Sequence, residues 1–140
     1  MRLESAAALE KAGVEVAFHT DDWVTDSRYF LRMAAMGVRG GMSREAALDA
    51  LTLVPARMLD IEDRVGSLEA GKDADFVILS GDPFSVRTRV LETWVEGTRR
   101  FDLDDPDDRL VAEGGPGALT PDDGMGHIHH MEDHRGGSGQ

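Results

Sequence analysis

The stretch Gly13–Asp22, GVEVAFHTDD, decides how this chain folds. Val14, Val16 and Phe18 alternate onto one face, and Ala17 is small enough to pack on the other, which predicts a short strand over 14–19. Two aspartates close it. Before the strand, RLESAAALEKAG is rich in helix formers and ends on Gly13, a residue suited to the position just past a helix. After it, Asp26 caps a predicted helix from Ser27 to Val38, with Phe30, Met33, Ala34 and Gly37 along one side. RGGM breaks that helix. Ser43 then starts SREAALDALTLVPARML, with Glu45 near its positive end and Ala47, Leu48, Leu51 and Val54 as the buried stripe. Pro55 ends this helix or begins a new turn. Helix, strand, helix, helix is the order of an α/β protein with parallel strands.

From Asp63 the pattern changes. DRVGSLEAGKDADFVILSGDPF holds a turn at Gly71–Lys72 and an all-apolar run over 76–79. VLETWVEGTRRFDL reads as two short strands, Val90–Val95 and Thr98–Leu103, joined at Glu96–Gly97. Past Leu103 the chain loses apolar residues and gains glycine, proline and aspartate, so 105–140 is expected to be a disordered acidic tail rich in glycine and histidine. The expected organisation is therefore 1–62, 63–104 and 105–140.

The formal net charge is −12 over 140 residues, and Asp102 to the C-terminus accounts for −8 of it. No basic stripe exists to displace phosphate counterions, so nucleic acid is not an expected partner. An anionic membrane surface is equally disfavoured, and no segment is long and apolar enough to span a bilayer. The chain has no cysteine, which removes disulfides and thiolate metal sites and fits a reducing, cytoplasmic setting. The first residues lack a signal-peptide apolar run; a secreted precursor would need an N-terminus other than this one.

Two stretches together carry a family resemblance. GSLEAGKDADFVILSGDP (66–83), with its approach ALTLVPARMLDIEDRVGSLEAGKDADF (50–76), resembles the closing segment of metal-dependent amidohydrolases of the imidazolonepropionase and dihydroorotase kind. VAFHTDD (16–22) resembles the end of their eighth barrel strand. The likeness covers residues 1 to about 103. It implies the last helix–strand–helix units of a TIM-like (β/α)8 barrel over 1–62, followed by a small β-sandwich segment over 63–104. Val54 stands where the family usually has asparagine, Ala70 where it has proline, and His19 where it has a small residue. The family's other metal ligands, a His-x-His and further histidines with a lysine or carboxylate, lie on strands that have no counterpart here. The chain therefore looks like the C-terminal part of a longer enzyme.

The resemblance implies that Asp21 is both a catalytic residue and a ligand of a divalent metal, zinc, in the intact parent protein. A metal lowers the pKa of its bound water, and a carboxylate beside it accepts the proton. Without the resemblance, Asp21 reads as a cap on the turn into the next helix. Adjacent strand residues point to opposite faces, so only one member of the Asp21–Asp22 doublet enters a barrel mouth, and the family motif selects Asp21. Asp22 is expected to serve the turn or to orient a ligand. His19 either contacts substrate, orients a carboxylate, or is an ordinary half-buried histidine. Asp26 and Arg28 cap and solvate the helix start. Asp73 and Asp75 look like paired carboxylates, but GKDAD is a turn into a strand, where such side chains bond locally. Phe76 and Trp94 read as sandwich core. His127, His129 and His130 repeat the letters of a metal motif in a glycine-rich setting, where loose binding of nickel, copper or zinc is the expectation.

Three functions compete. The first is the C-terminal part of a metal-dependent hydrolase of non-peptide, cyclic-amide C–N bonds with a small-molecule substrate, inactive as this chain alone. The second is a non-catalytic structural or assembly module, or a split-gene subunit that pairs with a separate barrel chain. The third is a metal-sequestering histidine tail. Strand edges and apolar helix faces without neighbours predict self-association or pairing with the missing barrel part.

Overall fold

The computed structural model describes residues 4–21 and 24–114. The chain divides into two units, Met1–Asp102 and Leu103–Gln140. In the first, α1 (Ser5–Lys11) precedes an unpaired segment, a 3-10 turn (Ser27–Tyr29), α2 (Phe30–Arg39), α3 (Arg44–Asp49) and α4 (Leu53–Met58). Strands β1 (Phe76–Leu79), β2 (Val90–Val95) and β3 (Thr98–Asp102) follow. Among the described residues no helix is long and apolar enough to cross a membrane.

The helix starts follow from local chemistry. Asp26 accepts the Arg28 N–H and so opens the 3-10 turn, and Ser43 Oγ accepts the Ala46 N–H to cap α3. The expected single helix from Ser43 is broken at 50–52. The Thr52 hydroxyl bonds back to the Leu48 carbonyl at 3.0 Å, and Pro55 sits in the first turn of α4, where a missing N–H leaves no helical bond unmade.

The expected strand over 14–19 does not form. Residues 14–20 have no ladder partner, because a strand exists only as a pair and the described residues place no neighbour beside it. The segment is held by helices instead. The Phe18 N–H donates to the Ala50 carbonyl at 3.0 Å, Glu15 pairs with Arg57 of α4, and the Phe18 side chain joins the buried cluster with Val16 packed against it.

That core is thin. Ala6, Ala7, Ala34, Ala47, Ala50 and Ala56 make up most of the buried apolar set, completed by Phe18, Met42, Leu51 and Val54. Small side chains let the helices approach closely but bury little area each, so each contributes well under the ~1.5–3 kcal/mol of a buried leucine. Large apolar side chains remain exposed elsewhere, among them Leu68 at 70%, Leu59 at 69% and Val77 at 47%.

The β half is one antiparallel sheet in the order β1-β2-β3. β2 and β3 are joined by Glu96–Gly97, both at positive φ (50° and 70°), the twist that a two-residue hairpin needs. Phe76 lies opposite Trp94, and their rings stack at 5.6 Å with planes 11° apart. Arg44 ties α3 to the loop after β1: it meets Asp82 at 2.7 Å and lies 4.8 Å over the Phe84 ring. Gly66 lets the chain pass against α4. A Cβ there would lie 2.8 Å from the Ala56 Cβ and 3.1 Å from the Thr52 carbonyl oxygen, at φ +90°.

In the second unit, residues 106–113, expected to be disordered, form α5 (Pro106–Glu113). Asp105 accepts the Asp107 N–H, Pro106 opens the helix, and Asp107 and Asp108 lie in its first turn, so cap and dipole chemistry outweigh the acidic composition. Residues 115–140, which include His127, His129 and His130, lie outside the described residues.

Candidate functional site

Asp21 ends the helix-braced segment in a left-handed backbone conformation, φ +55°, and is exposed. Its carbonyl accepts the Val24 N–H at 2.9 Å. Aspartate enters this region more readily than most residues, but it still stores strain that the surroundings must hold. Nothing in the residue pattern signals that conformation beyond the doublet itself. Asp22, expected to turn away from the site, lies outside the described residues.

His19, two residues before Asp21, is exposed rather than half-buried, and Thr20 between them is partly covered. Further on, Asp26 and Arg28 form one unit. Arg28 donates through Nε to both Asp26 oxygens at 3.0 Å and through Nη2 at 2.6 Å. The Arg28 side chain, and then its backbone N–H, hold the Asp26 carboxyl below the ordinary carboxylate value. Asp26 is thereby committed as an ionised cap.

The other carboxylates raised by the sequence are structural. Asp73 pairs with Arg64 at 2.7 Å, and Asp75 accepts the Glu96 N–H at 2.7 Å, which pins the β2–β3 turn to the start of β1. Asp82 is held below its usual value by the Arg44 side chain and the Phe84 N–H. Glu10 reaches across to α3, where its carboxylate accepts the Ser43 N–H at 2.9 Å; bonding from Ser43, side chain before backbone, lowers its pKa. The Trp94 indole N–H donates to Glu92 at 2.6 Å, which absorbs that polar tip within the sheet.

Among the described residues, no three histidine, cysteine, aspartate or glutamate side chains come together as metal donors. A catalytic zinc needs about three protein ligands with one position left open. The described donors therefore do not fit a complete metal centre. Asp21 and His19 are single groups presented at one segment end.

The amidohydrolase family's sequence pattern matches residues 2–101. Amidohydrolase tasK of Hapsidospora irregularis is 33% identical over 90 residues, covering 64% of this chain and 9% of that protein. N-acetylglucosamine-6-phosphate deacetylase of Danio rerio is 47% identical over 57 residues, 41% of this chain and 13% of the relative. Adenine deaminase 2 of Shouchella clausii is 34% identical over 93 residues, 64% of this chain and 16% of the relative. Among solved structures, an amidohydrolase from Thermotoga maritima superposes with a TM-score of 0.69 at 39% identity, over 71% of this chain and 26% of that one. The chain thus spans no more than a sixth of these three relatives and about a quarter of that solved structure.

Proposed function

Since this chain belongs to the amidohydrolase family, we propose that it is the C-terminal part of a metal-dependent hydrolase of C–N bonds in small, non-peptide molecules, cyclic amides foremost. On this reading residues 1–62 complete the end of a (β/α)8 barrel and residues 63–104 contribute to a small β-sandwich beside it. The deacetylase and deaminase relatives support a C–N bond as the target.

Asp21 is the site carboxylate. One observation carries this: an exposed aspartate is held at φ +55° at the start of a turn, on a segment that buried Phe18 and the Glu15–Arg57 pair fix to the helices. Strain of about 1–3 kcal/mol persists only where the surroundings impose it, and such places cluster at functional positions. In the intact protein Asp21 would supply one donor to a divalent metal, zinc by family likeness. The remaining donors must come from outside the described residues, so this chain alone is proposed to be inactive. His19 and Asp22 are proposed to contact substrate or orient the site.

The test uses a full-length relative that carries the same HTDDW sequence. Asp21→Asn is expected to lower turnover by about 10²–10⁴-fold, the usual worth of a positioned acid–base group, while Asp22→Asn costs far less. Equal losses, or a larger loss at Asp22, refute the assignment.

The exposed apolar side chains of the first unit favour a second element of the proposal, pairing with the remainder of a barrel, whether in one polypeptide or as a separately encoded subunit. Co-expression with a barrel-only chain is expected to give a stable complex. A sharply melting monomer that ignores such a chain would count against it.

A further inference from the structure

We infer that Gly37 and Phe18 are positioning residues for Asp21: the ring of Phe18, seated against the bare backbone of Gly37 in α2, sets the level at which Asp21 is presented. The inference rests on reading Asp21 as the site carboxylate, and it concerns what places that group.

Phe18 is 8% exposed and lies three residues before Asp21. Its amide is fixed to the Ala50 carbonyl at 3.0 Å, so the backbone is set from one side and the ring from the other. A Cβ at Gly37 would lie 3.0 Å from the Phe18 Cζ, 3.5 Å from its Cε2 and 3.3 Å from the Met42 Sδ. Carbon atoms rest about 3.5–4.0 Å apart, so any side chain at 37 must push the ring by a few tenths of an ångström. The ring has little room to yield, because Ala34 and Ala50 of its cluster are fully buried and Met42 is 5% exposed. Met42 is itself fixed, its N–H donating to the Gly37 carbonyl at 3.0 Å. Displacement therefore passes along the segment to Thr20 and Asp21.

The Val24 N–H reports the result, since its acceptor is the Asp21 carbonyl. Hydrogen exchange on the full 140-residue chain is read at Val24 and Phe18, with the Ile61 amide, bonded to Ala56 at 3.0 Å, as reference. Gly37→Ala is expected to speed exchange at Phe18 and Val24 by about tenfold or more relative to Ile61. Phe18→Leu, which keeps the site apolar and adds no bulk, is expected to do the same at Val24 and serves if Gly37→Ala does not fold. The Phe18→Leu/Gly37→Ala pair, which removes ring volume while adding a methyl, is expected to restore Val24 protection in part. Val54→Ala, a core truncation outside the Phe18 cluster, is expected to move all three amides together, as a merely structural effect would. Val24 tracking Ile61 in both single variants overturns the inference, as does an unprotected Val24 in the unaltered chain. If Asp21→Asn left a full-length relative fully active, the site assignment would fall, while the exchange result would still decide what sets the level of Asp21.

Discussion

Gly66 and Gly71 hold nearly the same backbone conformation, φ +90° and +96°, in different surroundings. At Gly71 a Cβ would meet nothing within 4 Å; at Gly66 it would lie 2.8 Å from the Ala56 Cβ, 3.1 Å from the Thr52 oxygen and 3.2 Å from the Leu53 Cα. Alanine at either position carries the strain of a left-handed conformation, about 1–3 kcal/mol. Only at Gly66 does overpacking against helix backbone add about 1–3 kcal/mol more. Gly66→Ala should therefore cost about 2–6 kcal/mol, a large share of the ~5–15 kcal/mol that holds a typical domain folded. Urea unfolding followed by circular dichroism separates the two contributions. With a slope of about 1–3 kcal/mol per molar, the extra steric cost should lower the Gly66→Ala midpoint by roughly 0.3–3 M relative to Gly71→Ala. Equal midpoints for the two variants would refute the reasoning, because the close approach of 66 to α4 would then have no energetic consequence.

Further outcomes are expected. The purified 140-residue chain, supplied with zinc, should show no metal-dependent hydrolysis of cyclic amides; measurable turnover would refute the reading of Asp21 as one donor of a larger set. Asp82, held below its ordinary value of 3.8 by Arg44 and the Phe84 N–H, should contribute stability that is fully present above about pH 4 and lost as pH falls through its depressed value. Asp82→Asn should therefore flatten the acid limb of the stability profile, and an unchanged limb would show that the Arg44 tie carries no stability. Phe76→Leu removes the ring stacked on Trp94 and should shift indole emission while leaving the hairpin intact, as read by amide exchange at Gly97.

The β half was legible because its signals are local. Glu96–Gly97 needs only the two residues between the strands, and the structure closes the hairpin there. Ser43 and Asp26 act as caps because a cap needs its own side chain and an N–H two or three residues on. The strand over 14–19 was illegible for the opposite reason: alternation marks a surface ready to pair, and pairing depends on residues elsewhere. Helix α5 had its Asp-Pro-Asp-Asp start in plain view, but composition averaged over a long acidic stretch concealed an eight-residue element. At the candidate site, the sequence indicated Asp21 by its position in a motif. Its positive φ depends on what braces the chain before it, which sequence spacing does not encode.

The bracing also orders events in time. The segment that carries Asp21 rests on Ala34, Gly37, Met42, Ala50 and Arg57, all of which follow it in the chain. During synthesis Asp21 emerges before any of these supports exists. At about 5–20 residues per second, Arg57 is added roughly two to seven seconds later. Until then the carboxylate belongs to a tether whose braces on α2, after α3 and on α4 are added one after another, the α4 one last.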